Sequence, residues 1–287
     1  MSSTQAFTNI VTPDALQAFS GDVLLFDCRS RLGDPDWGRA AYQDAHIAGA
    51  FYLSLDDDLA APAETHPAPP GEESCSGRGR HPLPERQVFA DKMAAFGVNA
   101  DTQVVCYDDA GGAMAARAWW MLRWIGHHNV AVLDGGLAAW PLPLTADATP
   151  LRERGNLTLQ SPLNAYVDVI SLQERIDGGD AHLLDARTQA RWAGLEEPID
   201  PVAGHIPGAA CLPFQENLDA DGMFLPAEQL AARFAPWPDP VICYCGSGVT
   251  ACHNLLALHI AGREGILYAD SWSGWITDPD RPVGGQT

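Results

Sequence analysis

Val241-Ile242-Cys243-Tyr244-Cys245-Gly246-Ser247-Gly248-Val249-Thr250-Ala251-Cys252 runs from four apolar, β-prone residues through a cysteine and a loop of small residues into a segment of helical composition, Ala251 to Ile260. The pattern predicts a strand, a tight loop and a helix. A cysteine at such a junction sits where backbone N–H groups converge and the helix dipole is positive, so its thiolate is favoured over its thiol. Cys245 is therefore a candidate nucleophile. A free thiol of pKa about 8.5 is ~3% ionised at pH 7, and lowering it by about two units, ~2.7 kcal/mol, makes the thiolate the majority form. The alternative is a buried, inert cysteine. Gly246 and Gly248 argue against it, because they leave the loop backbone open to a ligand.

The chain has 287 residues, long for one core and natural for two domains. With 46% apolar residues, 19% charged and 9 Trp it has the composition of a packed globular protein. Lys and Arg number 17 against 37 Asp and Glu, a net charge of -20 that opposes binding to nucleic acid or an anionic membrane surface. An anionic ligand must be held by local arginines and backbone amides. Seven cysteines with no CxxC pair, and no His-x3-His spacing, argue against a disulfide framework and a zinc site. No bound metal or cofactor is expected. Met1 to Ile10 lacks the pattern of a signal peptide and no stretch approaches a membrane span, so a reducing cytoplasm is the expected compartment.

The same phrases occur twice along the chain. Val23-Leu24-Leu25-Phe26 ends at Asp27-Cys28-Arg29, and Ala181-His182-Leu183-Leu184 ends at Asp185-Ala186-Arg187. His46-Ile47-Ala48-Gly49-Ala50 is matched by His205-Ile206-Pro207-Gly208-Ala209, and Val104-Val105-Cys106-Tyr107 by Val241-Ile242-Cys243-Tyr244. Their shared order makes a tandem repeat of a whole domain. The spacing gives the first half about twenty extra residues, placed in a long loop between Asp56 and Pro84 that carries Arg78, Arg80 and His81 and borders the active site. Helices are expected at Thr12 to Phe19, Glu85 to Phe96 and Gly111 to Trp124. Strands alternating with helices predict an α/β fold, each domain a mainly parallel sheet flanked by helices. Residues 1–145 form the first domain, the proline-rich stretch 146–163 a linker, and 164–287 the second domain. Where the second half has Cys245, the first has Asp108, so catalysis is expected in the second domain alone.

Cys245-Gly246-Ser247-Gly248-Val249-Thr250, in this context, resembles the active-site loop of two-domain rhodanese-type sulfurtransferases, and most closely that of the 3-mercaptopyruvate sulfurtransferases. The resemblance covers nearly the whole chain. It implies two tandem rhodanese-like domains, an inactive one covering an active one with the site in the cleft between them. It also implies a reaction in which Cys245 takes a sulfane sulfur from a small-molecule donor, becomes a persulfide, and passes the sulfur to a thiol, thioredoxin or cyanide. Gly246, Ser247, Gly248, Val249 and Thr250 would line the substrate. Asp185-Ala186-Arg187-Thr188-Gln189-Ala190-Arg191-Trp192 resembles the stretch whose second arginine grips the donor carboxylate, which maps to Arg191. The alternative for Arg191 is a surface ion pair with Glu196 or Glu197. The arginine that often follows a Glu-Pro pair in these enzymes is replaced by Ile199.

Asp185 with Arg187, and Asp27 with Arg29, read as internal salt bridges at strand ends. His46 and His205 read as turn-stabilising residues. For His46 the resemblance adds a proton relay with Asp36 and Ser247. Cys243 and Cys252 read as buried small hydrophobes, or alternatively as resolving thiols in a redox switch. Three other functions compete with this one. A phosphatase on the same fold needs an arginine closing the loop, and position 251 is Ala. A non-enzymatic sulfur carrier commonly lacks the cysteine. Thiosulfate sulfurtransferase is the serious alternative, since donor choice alone separates it.

Overall fold

The computed structural model describes residues 5–62 and 79–285. The chain forms two compact units, each around its own five-stranded sheet. In the first, β1 (Ile10–Val11), β2 (Val23–Asp27), β3 (Ala50–Tyr52), β4 (Gln103–Tyr107) and β5 (Val130–Leu133) lie in the order β1-β5-β4-β2-β3, every pair parallel. Around them run α1 (Pro13–Gln17), α2 (Trp37–Asp44), α3 (Arg86–Ala95) and α4 (Ala115–Trp124). The second unit repeats this. Its strands β6 (Ala165–Val167), β7 (His182–Asp185), β8 (Ala210–Cys211), β9 (Val241–Tyr244) and β10 (Gly265–Tyr268) lie in the order β6-β10-β9-β7-β8, again all parallel. Its helices are α5 (Val169–Gly178), α6 (Gln189–Trp192), α7 (Ala227–Phe234), α8 (Ala251–Ile260) and α9 (Ser271–Trp275). Parallel strands need long crossovers, and the helices between them supply these while covering the sheet faces. The central strands β4 and β9 are buried at every residue, hence their apolar runs Val104–Tyr107 and Val241–Tyr244.

Three boundaries differ from the expectation. The helix anticipated from Gly111 starts at Ala115, because Gly111 and Gly112 take φ of 67° and 90°, which no right-handed helix allows. The stretch 146–163 has no regular element, yet it is strapped to the first unit. Gly155 N–H donates to Ala94 O at 2.8 Å, Gln160 to Ile125 O at 2.9 Å and Leu163 to Arg123 O at 3.0 Å. The units also exchange segments: residues 79–83 group with the second and 220–224 with the first. Of the long loop's basic residues, Arg78 lies outside the described residues.

One polar knot recurs in both units. Arg187 donates to Asp185 through Nε at 3.1 Å and Nη2 at 2.7 Å, and Nη2 also reaches Gly204 O at 2.6 Å. In the first unit Arg29 holds Asp27 at 3.0 and 2.7 Å and Ala45 O at 2.6 Å. A tyrosine completes each knot. Tyr107 Oη accepts from Ile47 N and Tyr244 Oη from Ile206 N, both at 3.1 Å, and each is also hydrogen-bonded to its strand-end aspartate. Burial pushes both phenols well above their ordinary pKa. The two histidines sit in matching places. His46 Nδ1 donates to Tyr42 O and His205 Nδ1 to Trp192 O, both at 2.7 Å, each ring stacked on that same residue's side chain.

Beyond β4, the carboxylate of Asp108 closes the first unit's loop. Its oxygens accept four backbone N–H groups, from Ala110, Gly112, Met114 and Ala115, at 2.7 to 2.9 Å. Burial pushes the Asp108 pKa up, and the four hydrogen bonds pull it back only in part. Asp108→Ala should strand these donors and lower the stability of the first unit by about 2 to 4 kcal/mol, read as a shift in the urea midpoint. A loss under about 0.5 kcal/mol would mean that water replaces the carboxylate.

Candidate active site

Cys245 follows the last residue of β9 and is 2% exposed. Its own N–H donates to Ser271 Oγ at 3.1 Å, and its Sγ accepts from Gly248 N at 3.2 Å. Gly248 has φ +79°, and a Cβ there would run into the Ala269 carbonyl oxygen. Only glycine fits that turn. Among the described residues the N–H groups of Val249, Thr250 and Ala251 find no acceptor, as expected for the open N-terminus of α8. In the first unit the equivalent donors hold Asp108. The loop after β9 therefore offers Cys245, and anything bound to its sulfur, the same kind of anion-binding backbone.

Ser247, 4% exposed, faces a histidine, and that histidine is His81: Nδ1 lies 2.7 Å from Ser247 Oγ. The resemblance in sequence points instead to His46. In the structure His46 Nδ1 holds the Tyr42 carbonyl, and Asp36 stands at the N-cap position of α2 without a side-chain cap bond. His46 thus does what its repeat His205 does. His81 was missed because it lies in the insertion, where no repeat or motif marks it.

Arg191 lies against the loop, with Nη2 and Nη1 at 3.5 and 3.6 Å from the point a Cβ would take on Gly246. It is also the ion-paired residue that the alternative foresaw. Nε and Nη2 donate to the two oxygens of Glu197 at 3.2 and 2.7 Å, and Nη2 also reaches Asp200 Oδ2 at 3.2 Å. The pairing extends on both sides. Arg187 Nη1 contacts Glu197 Oε2 at 3.2 Å, and Arg80 Nη1 pairs with Asp200 Oδ1. The result is an alternating row, Asp185, Arg187, Glu197, Arg191, Asp200, Arg80, leading from the strand-end knot to the cysteine loop. Its carboxylates are buried and its charges balance. Thr188 caps α6 by accepting from Arg191 N at 3.4 Å, which fixes where the Arg191 side chain departs.

The neighbouring thiols differ in kind. Cys243 is fully buried, and burial pushes its thiol well above its ordinary pKa. Cys252 Sγ donates to Gly248 O at 3.3 Å. Among the described residues no group of three or more His, Cys, Asp or Glu could hold a metal, and no helix is long and apolar enough to cross a membrane.

Comparison with known proteins agrees with this architecture. The rhodanese-like domain model matches residues 12–142 and 168–278. The chain is 47% identical to a Pseudomonas aeruginosa protein named "Probable 3-mercaptopyruvate sulfurtransferase", with 99% of each chain covered. It is 40% identical to SseB of Mycobacterium tuberculosis, which carries a thiosulfate sulfurtransferase name, with 92% of each chain covered. Among solved structures, the 3-mercaptopyruvate sulfurtransferase SseA of Escherichia coli superposes with a TM-score of 0.75 at 31% identity, covering 93% of this chain and all of that one. Two rhodanese-like domains in tandem, a cysteine after β9 where the first unit has Asp108 after β4, and this degree of likeness along the whole length place the chain in the rhodanese family, as a two-domain sulfurtransferase.

Proposed function

We propose that the second unit takes sulfur from 3-mercaptopyruvate onto Cys245 and hands it to a thiol, a thioredoxin-like protein or cyanide. The observation that carries this reading is the placement of Cys245 Sγ under a backbone N–H, in a loop that two guanidinium groups approach at Gly246 and whose counterpart holds a carboxylate. The Cys245 thiolate attacks the donor's sulfur. An S–S bond forms, the donor's C–S bond breaks, and its electron pair leaves as the enolate of pyruvate, which takes up one proton. The Cys245 persulfide remains. An acceptor thiolate then attacks the outer sulfur and restores the Cys245 thiolate. Gly246, Gly248, Val249 and Thr250 hold the outer sulfur through the loop backbone. Ser247, hydrogen-bonded to His81, is the group that passes the proton, so His81 takes the role that the resemblance assigns to His46 and Asp36.

Donor choice follows from charge. Thiosulfate is a dianion and 3-mercaptopyruvate a monoanion. The arginines beside the loop are already matched by buried carboxylates, so the site has no surplus cation for a second negative charge. A single carboxylate and a keto oxygen suit guanidinium and amide donors better. At equal concentration 3-mercaptopyruvate should therefore give the faster turnover. A faster rate with thiosulfate would transfer the assignment to the thiosulfate enzymes.

Two variants test the roles. Cys245→Ser should fold but neither turn over nor gain the mass of one sulfur, about 32 Da, on incubation with donor, read by intact mass. A mass gain in that variant would move the persulfide elsewhere. Arg191→Ala should cost about 2 to 4 kcal/mol in kcat/KM for 3-mercaptopyruvate, a factor of roughly 30 to 1,000. A loss under about threefold would remove Arg191 from the donor site.

A further inference from the structure

Arg191 alone is poorly equipped to grip a carboxylate. Its Nε and Nη2 are engaged by Glu197 and Asp200, which leaves Nη1, and a planar carboxylate is held well only by two donors. Ile199 offers none. A second guanidinium is nevertheless present. Arg80 Nη2 lies 3.0 Å from the Cβ position of Gly246, the same point that Arg191 approaches at 3.5 and 3.6 Å. Among described residues the Arg80 side chain makes one hydrogen bond, through Nη1 to Asp200.

Arg80 is also held in place by its chain neighbours. Its backbone N–H donates to Ser273 Oγ at 3.1 Å, Gly79 packs on the Asp270 carbonyl so closely that a Cβ would collide with it, and His81 bonds Ser247. Three successive residues fix the segment against the second unit, to which it belongs. The side chain remains 29% exposed, so a small anion can reach it. Charge points the same way. Without Arg80 the row would hold three carboxylates against two arginines, and a donor anion would meet both that excess negative charge and the Cys245 thiolate in a protein of net charge -20.

We propose that Arg80 is the second arm of the donor site: the donor carboxylate is taken between Arg80 Nη2 and Arg191 Nη1, with Asp200 bracing both guanidiniums from behind. The assignment rests on reading the second unit as a 3-mercaptopyruvate sulfurtransferase. Arg80 substitutes for the cation that Ile199 does not provide, and it comes from an insertion that the repeat lacks.

The test titrates full-length wild type and Arg80→Gln with pyruvate, the product of that reaction, and with its uncharged methyl ester. Arg80→Gln should weaken pyruvate by about ten-fold or more, ~1.4 kcal/mol, and leave methyl pyruvate within about two-fold, while KM for 3-mercaptopyruvate rises far more than kcat falls. Equal weakening of both ligands would show that Arg80 only supports the segment. A change under about two-fold for pyruvate, or no saturable pyruvate binding to wild type, would also overturn the proposal. Should the wild type turn over thiosulfate alone, the donor reading falls, and the paired titrations still decide Arg80.

Discussion

A loop that turns from a parallel strand straight into a helix leaves several N–H donors pointing at one place, and that place has to hold something electron-rich. The two units meet this constraint differently. After β4, Asp108 fills the position from within the chain, with two N–H bonds to each carboxylate oxygen. The loop is closed and chemically silent. After β9, Cys245 occupies the corresponding position with one such bond on its sulfur, and the donors at the start of α8 stay open. A loop at the same place in the repeat is thus a structural turn in one unit and, on the proposed reading, a receptor for an exchangeable sulfur in the other.

What keeps either loop in shape is the knot beneath it. The Asp–Arg pair with its tyrosine ties the end of one central strand to the neighbouring central strand and to the histidine-bearing turn. Such buried charge is costly unless every partner is present. In the second unit the knot is also extended. Arg187, over the Trp272 ring at 5.0 Å, passes to Glu197, and from there the row of charges runs out to the cysteine loop. The first unit has no need of that extension, since Asp108 already satisfies its loop.

The sequence made the architecture legible because its signals are local: an apolar run, a cysteine, two glycines and a helical segment recur in order, and the strand order of one half is the strand order of the other. Cys245, its loop and the strand-end salt bridges follow from that periodicity. The start of α4 did not, because Gly111 and Gly112 look compatible with a helix in composition and are excluded from it by their backbone angles. Nor did the partner of Ser247. His46 stands out through its motif, whereas His81 reaches Ser247 from an insertion with no repeat to compare it with. The pairing of Arg191 with Glu197 was one of two readings that spacing left open, and the shared use of Asp200 by two arginines far apart in sequence was beyond any local signal.

That sharing bears on how an acidic protein binds an acid. The far field of -20 charges repels a donor anion, but it is screened beyond roughly 8 Å at physiological salt, so the contest is settled by groups in contact. An unbraced arginine would lose rotamer freedom worth about 1 to 2 kcal/mol on gripping a ligand. A guanidinium already fixed by a buried carboxylate has lost that freedom during folding, so more of its attraction is expressed as affinity. The carboxylate lowers the net positive charge that the ligand meets, and in exchange it orients the remaining N–H donors. For a monoanion that needs two directed hydrogen bonds the exchange is favourable, and for a dianion that needs charge it is not. On the proposed donor reading, the acids in the row serve selectivity as much as stability, by limiting the cationic character of a site that has to recognise a single carboxylate.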